Sequence, residues 1–375
     1  MAEERLINPL ILKKEKEATD MTRHERALEK LHNGTVIPAN PLALDENRQF
    51  DEKRERALLR YYMDAGVGGL AVAVHTTQFE IRDPKHNLLE TVLKVASDEV
   101  DRFEASHDDV IVKIAGVCGP KEQAVREAKL AKKYGYDAVL LSPGGLNALS
   151  EDEMVERTEA VAAVMPVVGF YLQPSVGGRV FTYNYWQRIA AIDNVVAIKA
   201  APFNRYCTLD VVRAVATSKR ADKIALYTGN DDNIVIDLIT NYSFTEDGKT
   251  YNARFVGGLL GHWSVWTKKV VEMFHMLMEA RDKKGGITPE ILALANAVTD
   301  VNAVFFDTAN GFAGCIAGLH EVLRRQGLFK GIWCLNPDET MSPGQNEEID
   351  RVYRMYPELS DDDFVKANLD KWLAD

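Results

Sequence analysis

Cysteine is scarce in this chain, and the few cysteines present stand far apart. The 375 residues include four, and none of them forms a CxxC pair or a Cys/His spacing typical of a metal site. This scattering also differs from the dense cysteine frameworks that staple small secreted domains. We therefore expect free thiols, no disulfides and a reducing, cytoplasmic location.

Basic charge and long apolar runs are lacking as well. Asp and Glu outnumber Lys and Arg by 56 to 45, which gives a net charge of −11. Nucleic acids and anionic membranes attract basic surfaces, so we expect neither as a partner. No apolar run reaches the roughly 18 residues needed to span a bilayer. The first residues (AEER, then KKEKE) are charged and do not resemble a signal peptide.

Two kinds of catalytic motif are missing. The chain has no HxH or HExxH sequence, which argues against a metal-dependent barrel hydrolase and predicts no metal site. No GxGxxG follows the first predicted strand, which argues against a dinucleotide-binding fold.

Strand and helix signals alternate from Gly34 onward. The predicted strands are 35–39, 70–74, 110–117, 138–141, 167–172, 195–198, 224–227 and 255–260. A segment with helical spacing follows each of them, which predicts an α/β fold, a (β/α)8 TIM barrel over residues 34–284. Residues 1–33 form a short N-terminal extension, and residues 285–375, helical throughout, form a C-terminal helical appendage.

Two local sequence signals, one for a helix start and one for a hairpin, add to the alternation of strands and helices. Thr22 followed by Glu25 is a capping box, which predicts a helix over 22–31 with a role in packing or subunit contact. The segment 241–254 interrupts the alternation, and its Asp247-Gly248 pair between β-forming residues indicates a hairpin. Because this segment precedes a strand, we expect it at the amino-terminal face of the barrel, in a structural role.

The most informative stretch is VVGFYLQPSVGGRVFTYNYWQRIAAIDNVVAIK, residues 167–199. It predicts a strand, a helix and a second parallel strand, with Tyr171 and Lys199 near the carboxyl ends where such folds place their chemistry. Desolvation at the end of an apolar strand lowers the pKa of a lysine, and a neutral amine can form a Schiff base with a ketone. The alternatives are a lysine that snorkels or pairs with a carboxylate, and a tyrosine that is a core aromatic.

These residues carry a resemblance to a known family. FYLQP followed by NVVAIK resembles the YNxP and xxGIK motifs of the dihydrodipicolinate synthase / N-acetylneuraminate lyase family, with the tyrosine and lysine 28 residues apart. AVAVHTTQFE is similar to that family's GTTGE strand, and YTGNDD is similar to its GDD turn. The resemblance spans about residues 34–331. It implies a class I aldolase barrel in which Lys199 forms the Schiff base and Tyr171 moves protons.

The resemblance also points to substrate-binding residues at other strand ends. Thr76 and Thr77 would bind the substrate carboxylate, and His75 stands where the family has glycine. Further candidates are Arg179, Asn204 and His262. Thr76 and Thr77, His75 and Arg179 also have ordinary structural alternatives: a turn stabilised by hydroxyls, a packing imidazole and a surface arginine. Asp231 and Asp232 match the GDD turn, but we favour helix capping for them.

Several positions depart from the synthases of this family. Gly144 and Gly145 replace the tyrosine pair of the proton relay, Val176 replaces a carboxylate-binding arginine, and Ala200 replaces a glutamate. The chain therefore resembles a divergent branch of the family.

We expect a lysine-dependent lyase, aldolase or dehydratase acting on a 2-oxo acid such as pyruvate or a sugar-derived keto acid. We expect it to need no cofactor and to assemble as a homodimer or homotetramer. The alternative is a catalytically silent member of the family that binds a metabolite or a partner.

Overall fold

A ring of eight parallel strands lies at the centre of the structure, a computed structural model that describes residues 21–374. In chain order the strands are β1 (Val36–Pro38), β2 (Gly69–Val72), β3 (Val112–Val117), β4 (Ala138–Leu141), β5 (Val167–Leu172), β6 (Val195–Ala201), β7 (Ala225–Thr228), β8 (Tyr242–Glu246), β9 (Lys249–Ala253) and β10 (Phe255–Leu260). All of them except β8 and β9 belong to the ring. Residues 1–20 of the predicted extension lie outside the described residues.

The ring closes at a single seam. Its strands run in the order β1-β10-β7-β6-β5-β4-β3-β2, and every pair of neighbours is parallel. The two ends meet where Ala39 bridges Ala71 in parallel, and the N–H of Asn40 donates to the carbonyl of Ala71 at 2.8 Å. The predicted (β/α)8 barrel is therefore confirmed.

Thirteen α-helices are found within residues 21–374. They are α1 (Arg23–Asn33), α2 (Glu52–Ala65), α3 (Leu89–Glu104), α4 (Lys121–Lys133), α5 (Glu151–Ala162), α6 (Tyr183–Ala191), α7 (Arg205–Ala216), α8 (Ile234–Ile239), α9 (Thr267–Asp282), α10 (Pro289–Phe305), α11 (Cys315–Arg325), α12 (Gln345–Met355) and α13 (Asp362–Leu373). Each ring strand is followed by one of the helices α2–α9. The spacing of apolar residues predicts separate helices over 289–299 and 302–308, but the structure has the single helix α10 there. None of the described helices combines the length and the apolar character needed to cross a bilayer.

Alternation along the strands divides the apolar residues between two cores. In β5, Val168, Phe170 and Leu172 belong to the core inside the barrel, whereas Val167 and Tyr171 belong to the core between the sheet and the helices. This is the ordinary consequence of successive side chains pointing to opposite faces of a sheet. Which face a residue occupies therefore decides whether it can reach a site inside the barrel.

Helix α1 packs against the amino-terminal end of the barrel. Its Ala27 and Leu31 join the interior core, and the hydroxyl of Tyr227 donates to the carbonyl of Leu31 at 2.7 Å. The predicted capping box is present: Thr22 accepts from the N–H of Glu25, and the Glu25 carboxylate accepts from the N–H of Thr22. In this structure the helix closes the floor of the barrel.

The predicted hairpin is formed by β8 and β9, which pair antiparallel. Its two turn residues, Asp247 and Gly248, have φ of 49° and 77°. Positive φ at both positions is the signature of the turn that Asp-Gly favours. Since β9 ends two residues before β10 begins, the hairpin lies at the amino-terminal face, as expected.

The C-terminal helices are built onto the barrel layer through aromatic side chains. Trp372 of α13 is 1% exposed, and its ring centroid lies 5.4 Å from that of Tyr61 and 5.5 Å from that of Phe364. Its indole N–H donates to the carboxylate of Asp64 at 2.7 Å. This contact fastens α13 to α2.

Replacing Trp372 with alanine is expected to destabilise the protein by about 3–5 kcal/mol, because a large buried ring is removed and a cavity remains. Urea denaturation followed by circular dichroism measures the change. The control is Leu292→Ala on α10, where the side chain is 48% exposed and the expected change is within about 0.5 kcal/mol. Equal stability of the Trp372 variant and the wild type would contradict the fastening role of α13.

Candidate active site

A pocket of about 590 Å³ opens at the carboxyl ends of the barrel strands. Its polar side chains come from four strand ends: His75, Thr76, Gln173, Lys199 and Asp231. Its aromatic side chains are Phe170 and Phe203, together with Phe306 and Phe312 from the region beyond the barrel.

Lys199 is the ionisable group at the centre of this pocket. It lies on β6 between the interior residues Ala197 and Ala201, and it is 8% exposed. Its Nζ lies 4.5 Å from the ring centroid of Phe170. A Cβ on Gly229 would come within 2.4 Å of its Cε, so the glycine at that position leaves room for the lysine. The amine thus points into the pocket.

The electrostatics of Lys199 favour a reactive amine. Burial lowers its pKa to about 8, and the carboxyl of Asp231 acts in the opposite direction. At pH 7 about a tenth of such an amine is neutral, several hundred times the fraction for an ordinary lysine. No carboxylate within residues 21–374 lies within ion-pair distance of the ammonium group. The alternative of a snorkelling or ion-paired lysine does not describe this geometry.

Asp231 is the polar residue that sequence reasoning interpreted differently. It is 5% exposed, it lines the pocket, and its Oδ1 accepts from the backbone N–H of His262 at 3.1 Å. Burial raises its pKa to about 7, while the charge of Lys199 lowers it. Helix α8 is preceded by Asn233, and the carboxylate of Asp231 is directed to His262 and the pocket, so it does not cap that helix. Asp231 can therefore exchange a proton near neutral pH.

Thr76 and Thr77 lie after β2, as predicted, but their hydroxyls are already used. The hydroxyl of Thr76 donates to the carbonyl of Ala39 at 2.7 Å, and that of Thr77 donates to the carbonyl of Asn40 at 2.6 Å. A hydroxyl has one proton to donate. These side chains fasten the seam of the barrel. Binding of a carboxylate through their hydroxyls stays a prediction, and it requires these hydrogen bonds to be exchanged for bonds to the substrate.

His75 lies in the pocket, as expected for a strand-end residue. Burial, and secondly the charge of Lys199, lowers its pKa to about 4. The imidazole is therefore neutral at physiological pH, and it can donate or accept a hydrogen bond without carrying charge.

Three other predicted residues lie outside the pocket. The guanidinium of Arg179 donates to the carbonyl of Leu149. The side chain of Asn204 caps α7 by accepting from the N–H of Tyr206 at 2.9 Å. The imidazole of His262 stacks on Phe305 with ring centroids 5.9 Å apart. His262 contributes to the site through its backbone N–H on Asp231.

Tyr171 is separated from Lys199 by the sheet itself. The register of β5 and β6 places Phe170 opposite Lys199 and Tyr171 opposite Ala200. Paired residues share a face, so Phe170 joins Lys199 inside the barrel and Tyr171 lies outside it. The phenol accepts from the N–H of Phe181 at 3.2 Å, and its ring stacks on Trp186 at 5.1 Å. The structure does not bring the predicted catalytic pair together, and Tyr171 is a core aromatic.

Tyr171→Phe is therefore expected to leave the chemistry of Lys199 unchanged. It removes the acceptor for one buried N–H, which should cost about 1–2 kcal/mol of stability. Borohydride trapping of pyruvate on the variant and urea denaturation test the two halves of this expectation. A loss of trapping with unchanged stability would restore Tyr171 to the reaction.

Asp231 was predicted to be a helix cap, and Gln173 and the phenylalanines that line the pocket were not predicted as site residues. The GDD-like turn was the available signal for Asp231, since it follows a strand end. No sequence signal was available for Phe306 and Phe312. They come from the region beyond the barrel, and its position relative to the barrel depends on tertiary packing.

Comparison with known proteins agrees with this architecture. N-acetylneuraminate lyase 2 of Escherichia coli O6:H1 is 21% identical over 327 residues, which cover 86% of this chain and 93% of that protein. An uncharacterized DapA-like lyase of Rhizobium meliloti is 29% identical over 259 residues, which cover 64% of this chain and 79% of that protein.

Solved structures show the same fold. Dihydrodipicolinate synthase from Oceanobacillus iheyensis superimposes with a TM-score of 0.70 at 15% identity, covering 90% of this chain and all of that one. N-acetylneuraminate lyase from Fusobacterium nucleatum, solved with pyruvate, gives a TM-score of 0.66 at 16% identity, covering 87% of this chain and 97% of that one.

The family model described as the dihydrodipicolinate synthetase family matches residues 32–352, which include the whole barrel, the pocket and most of the C-terminal helices. The chain belongs to the dihydrodipicolinate synthetase family.

Proposed function

We propose that this protein is a class I, lysine-dependent lyase, an aldolase or dehydratase, acting on a 2-oxo acid such as pyruvate or a sugar-derived keto acid. One observation carries the proposal: the Lys199 amine and the Asp231 carboxyl are both buried in one pocket, which otherwise has no charged lining group within residues 21–374. A neutral amine attacks a ketone, and a nearby acid removes the oxygen as water.

The first half of the reaction forms the iminium ion. Lys199 adds to C2 of the 2-oxo acid, and protonated Asp231 gives its proton to the departing hydroxyl. The iminium nitrogen is Nζ itself, which lies 4.5 Å from the centroid of the Phe170 ring. Such a contact stabilises a desolvated cation by about 2 kcal/mol. The cation then serves as the electron sink for the next step, so we expect no cofactor.

The second half breaks a bond beta to the iminium carbon. In an aldol cleavage the C3–C4 bond breaks, its electron pair enters the iminium to give an enamine, and Asp231 accepts the proton of the C4 hydroxyl. Protonation of the enamine and hydrolysis of the imine by water release both products and the free amine. Asp231 would transfer the protons that a tyrosine pair transfers in the synthases, where this chain has Gly144 and Gly145.

The substrate carboxylate would be held by the turn that follows β2. His75 and Thr76 begin the short 3₁₀ helix His75–Thr77, and neither backbone N–H donates to a backbone carbonyl within residues 21–374. The side-chain amide of Gln173 lines the same pocket and supplies a further donor. Backbone and amide donors of this kind suit a carboxylate.

Borohydride reduction in the presence of pyruvate tests the proposal. Pyruvate is a fitting probe because the lyase of Fusobacterium nucleatum was solved with it. We expect a stable adduct in the intact mass and its assignment to Lys199 by peptide mapping. A chain that binds 2-oxo acids without forming an adduct would instead be the catalytically silent member of the alternative.

Location and assembly belong to the same proposal. The four cysteines are free thiols in the structure, which suits a cytoplasmic enzyme. A homodimer or homotetramer follows from the family resemblance, and sedimentation velocity measures it.

A further inference from the structure

The pocket is strongly asymmetric in its chemistry. Its charged groups, Lys199 and Asp231, lie on neighbouring barrel strands or just beyond their ends, and Lys199 is the single cationic residue that lines it within residues 21–374. The rest of the lining combines the uncharged polar residues His75, Thr76 and Gln173 with apolar side chains, among them four phenylalanines: Phe170, Phe203, Phe306 and Phe312. The part of the substrate that extends away from the imine therefore meets aromatic rings.

Two of these rings meet across the pocket from different parts of the chain. Phe203 follows β6, the strand of Lys199, and Phe312 precedes α11. Their ring centroids are 6.0 Å apart with an interplanar angle of 69°. This edge-to-face arrangement is one that aromatic pairs prefer. Both side chains are only partly buried, so the pair borders the entrance of the pocket.

Both residues are held in a backbone conformation that phenylalanine rarely adopts. The φ angles are 51° for Phe203 and 70° for Phe312. Hydrogen bonds maintain them: the N–H of Phe203 donates to the side-chain oxygen of Asn230 at 3.1 Å, and the N–H of Phe312 donates to the carbonyl of Asp307 at 3.0 Å. Bulky residues at positive φ are unfavourable, and such outliers concentrate at ligand-binding sites.

We propose that this pocket selects a 2-oxo acid with an aromatic or similarly flat apolar tail, and that Phe203 and Phe312 are the specificity-determining residues against which the tail packs. This inference rests on the proposed Schiff-base function and names its substrate class. A tail with a second carboxylate or several hydroxyls would lose its hydration among the phenylalanines without gaining partners.

The matching reaction balances without an oxidant or a second cofactor. In the synthetic direction the enamine of pyruvate attacks the carbonyl carbon of an aromatic aldehyde, the new C3–C4 bond forms, and the aldehyde oxygen takes a proton from Asp231. Water then hydrolyses the imine and releases a 4-aryl-4-hydroxy-2-oxo acid. The cleavage direction reverses each step.

A competition for Lys199 tests the selectivity directly and does not require turnover. Equal concentrations of 4-phenyl-2-oxobutanoate and 2-oxoglutarate are mixed with the full-length protein, reduced with borohydride and read by intact mass. We expect the phenyl-bearing adduct to exceed the 2-oxoglutarate adduct by about tenfold or more. Pyruvate, trapped in a separate reaction, reports on imine formation alone.

Two variants assign the selectivity to the aromatic pair. Phe203→Gly and Phe312→Gly remove one ring each and also relieve the positive φ, so neither variant forces a new strain on the fold. We expect the adduct ratio to fall toward one in both. The matched control is Phe103→Ala, a partly buried phenylalanine that stacks on His107, away from the pocket; its ratio should match the wild type.

The outcomes distinguish failure of the proposed function from failure of the substrate selectivity. Failure to trap pyruvate overturns the proposed function, and the aromatic selectivity with it. If pyruvate is trapped, the proposed function stands and three results would overturn the selectivity alone. These are no trapping of either longer acid, a 2-oxoglutarate adduct that equals or exceeds the phenyl adduct, and an adduct ratio that is unchanged in both glycine variants.

Discussion

Lys199→Ala is expected to lose the borohydride-stable pyruvate adduct entirely and to reduce turnover by a factor on the order of 10³ or more. The reason is chemical: the amine supplies the covalent bond and the electron sink, and no neighbouring group replaces it. Intact mass before and after reduction measures the adduct, and steady-state kinetics on the preferred substrate measures turnover.

Lys113 provides the control for this experiment. It is also buried, but its ammonium group donates to the carboxylate of Asp101 at 2.9 Å and to the hydroxyl of Ser97 at 3.0 Å. These contacts hold the Lys113 amine away from the pocket, which Lys113 does not line. Lys113→Arg should therefore form the adduct as the wild type does. An adduct that persists in Lys199→Ala and maps to Lys113 would contradict the assignment.

Asp231→Asn is expected to reduce turnover by about 10²–10⁴, the usual contribution of a general acid–base group. It should also change the pH dependence of adduct formation in a defined direction. The negative charge of Asp231 raises the pKa of Lys199. Removing that charge lowers the pKa further, so the neutral amine appears at lower pH. The rise of trapping rate with pH should shift toward acid, measured between about pH 5 and 10.

The neighbouring residue separates this effect from a general change of charge. Asp232 is exposed and does not line the pocket. Asp232→Asn carries the same charge change and should keep both the turnover and the pH profile. If Asp231→Asn also kept both, the carboxyl would have no part in proton transfer.

The barrel was predictable because its signals are local. Each ring strand is a short apolar run, and each is followed by a helix with its own start and stop residues, such as Ser150 before α5 and Gly66 after α2. The Asp-Gly turn of the hairpin is equally local. The division of 289–308 into two helices was wrong because apolar residues such as Val298 and Val301 continue the helix by packing in the core, which spacing alone does not reveal.

The site was only partly predictable because its geometry depends on register. Lys199 was found from its own strand. Tyr171 was assigned by its distance along the chain, which does not specify the face that it occupies. An irregularity between Val167 and Val168 sets the pairing of β5 and β6, and a shift of one residue moves every side chain to the other face.

Asp231 and Arg179 illustrate the complementary difficulty. A carboxylate before a helix is usually a cap, and an arginine near a site is usually taken for an anion-binding residue. In the structure Asp231 lines the pocket, and the guanidinium of Arg179 donates to the carbonyl of Leu149. A long side chain, or one in a turn, can reach several hydrogen-bonding partners. The folded loops determine which of these partners it contacts.

The two phenylalanines contributed from beyond the barrel have a consequence for biosynthesis. Phe306 and Phe312 reach the pocket only after all eight strands have been made, more than a hundred residues after Lys199. During translation Lys199 is therefore synthesised well before Phe306 and Phe312. The pocket around this amine is therefore incomplete until the nascent chain has been extended past Phe312.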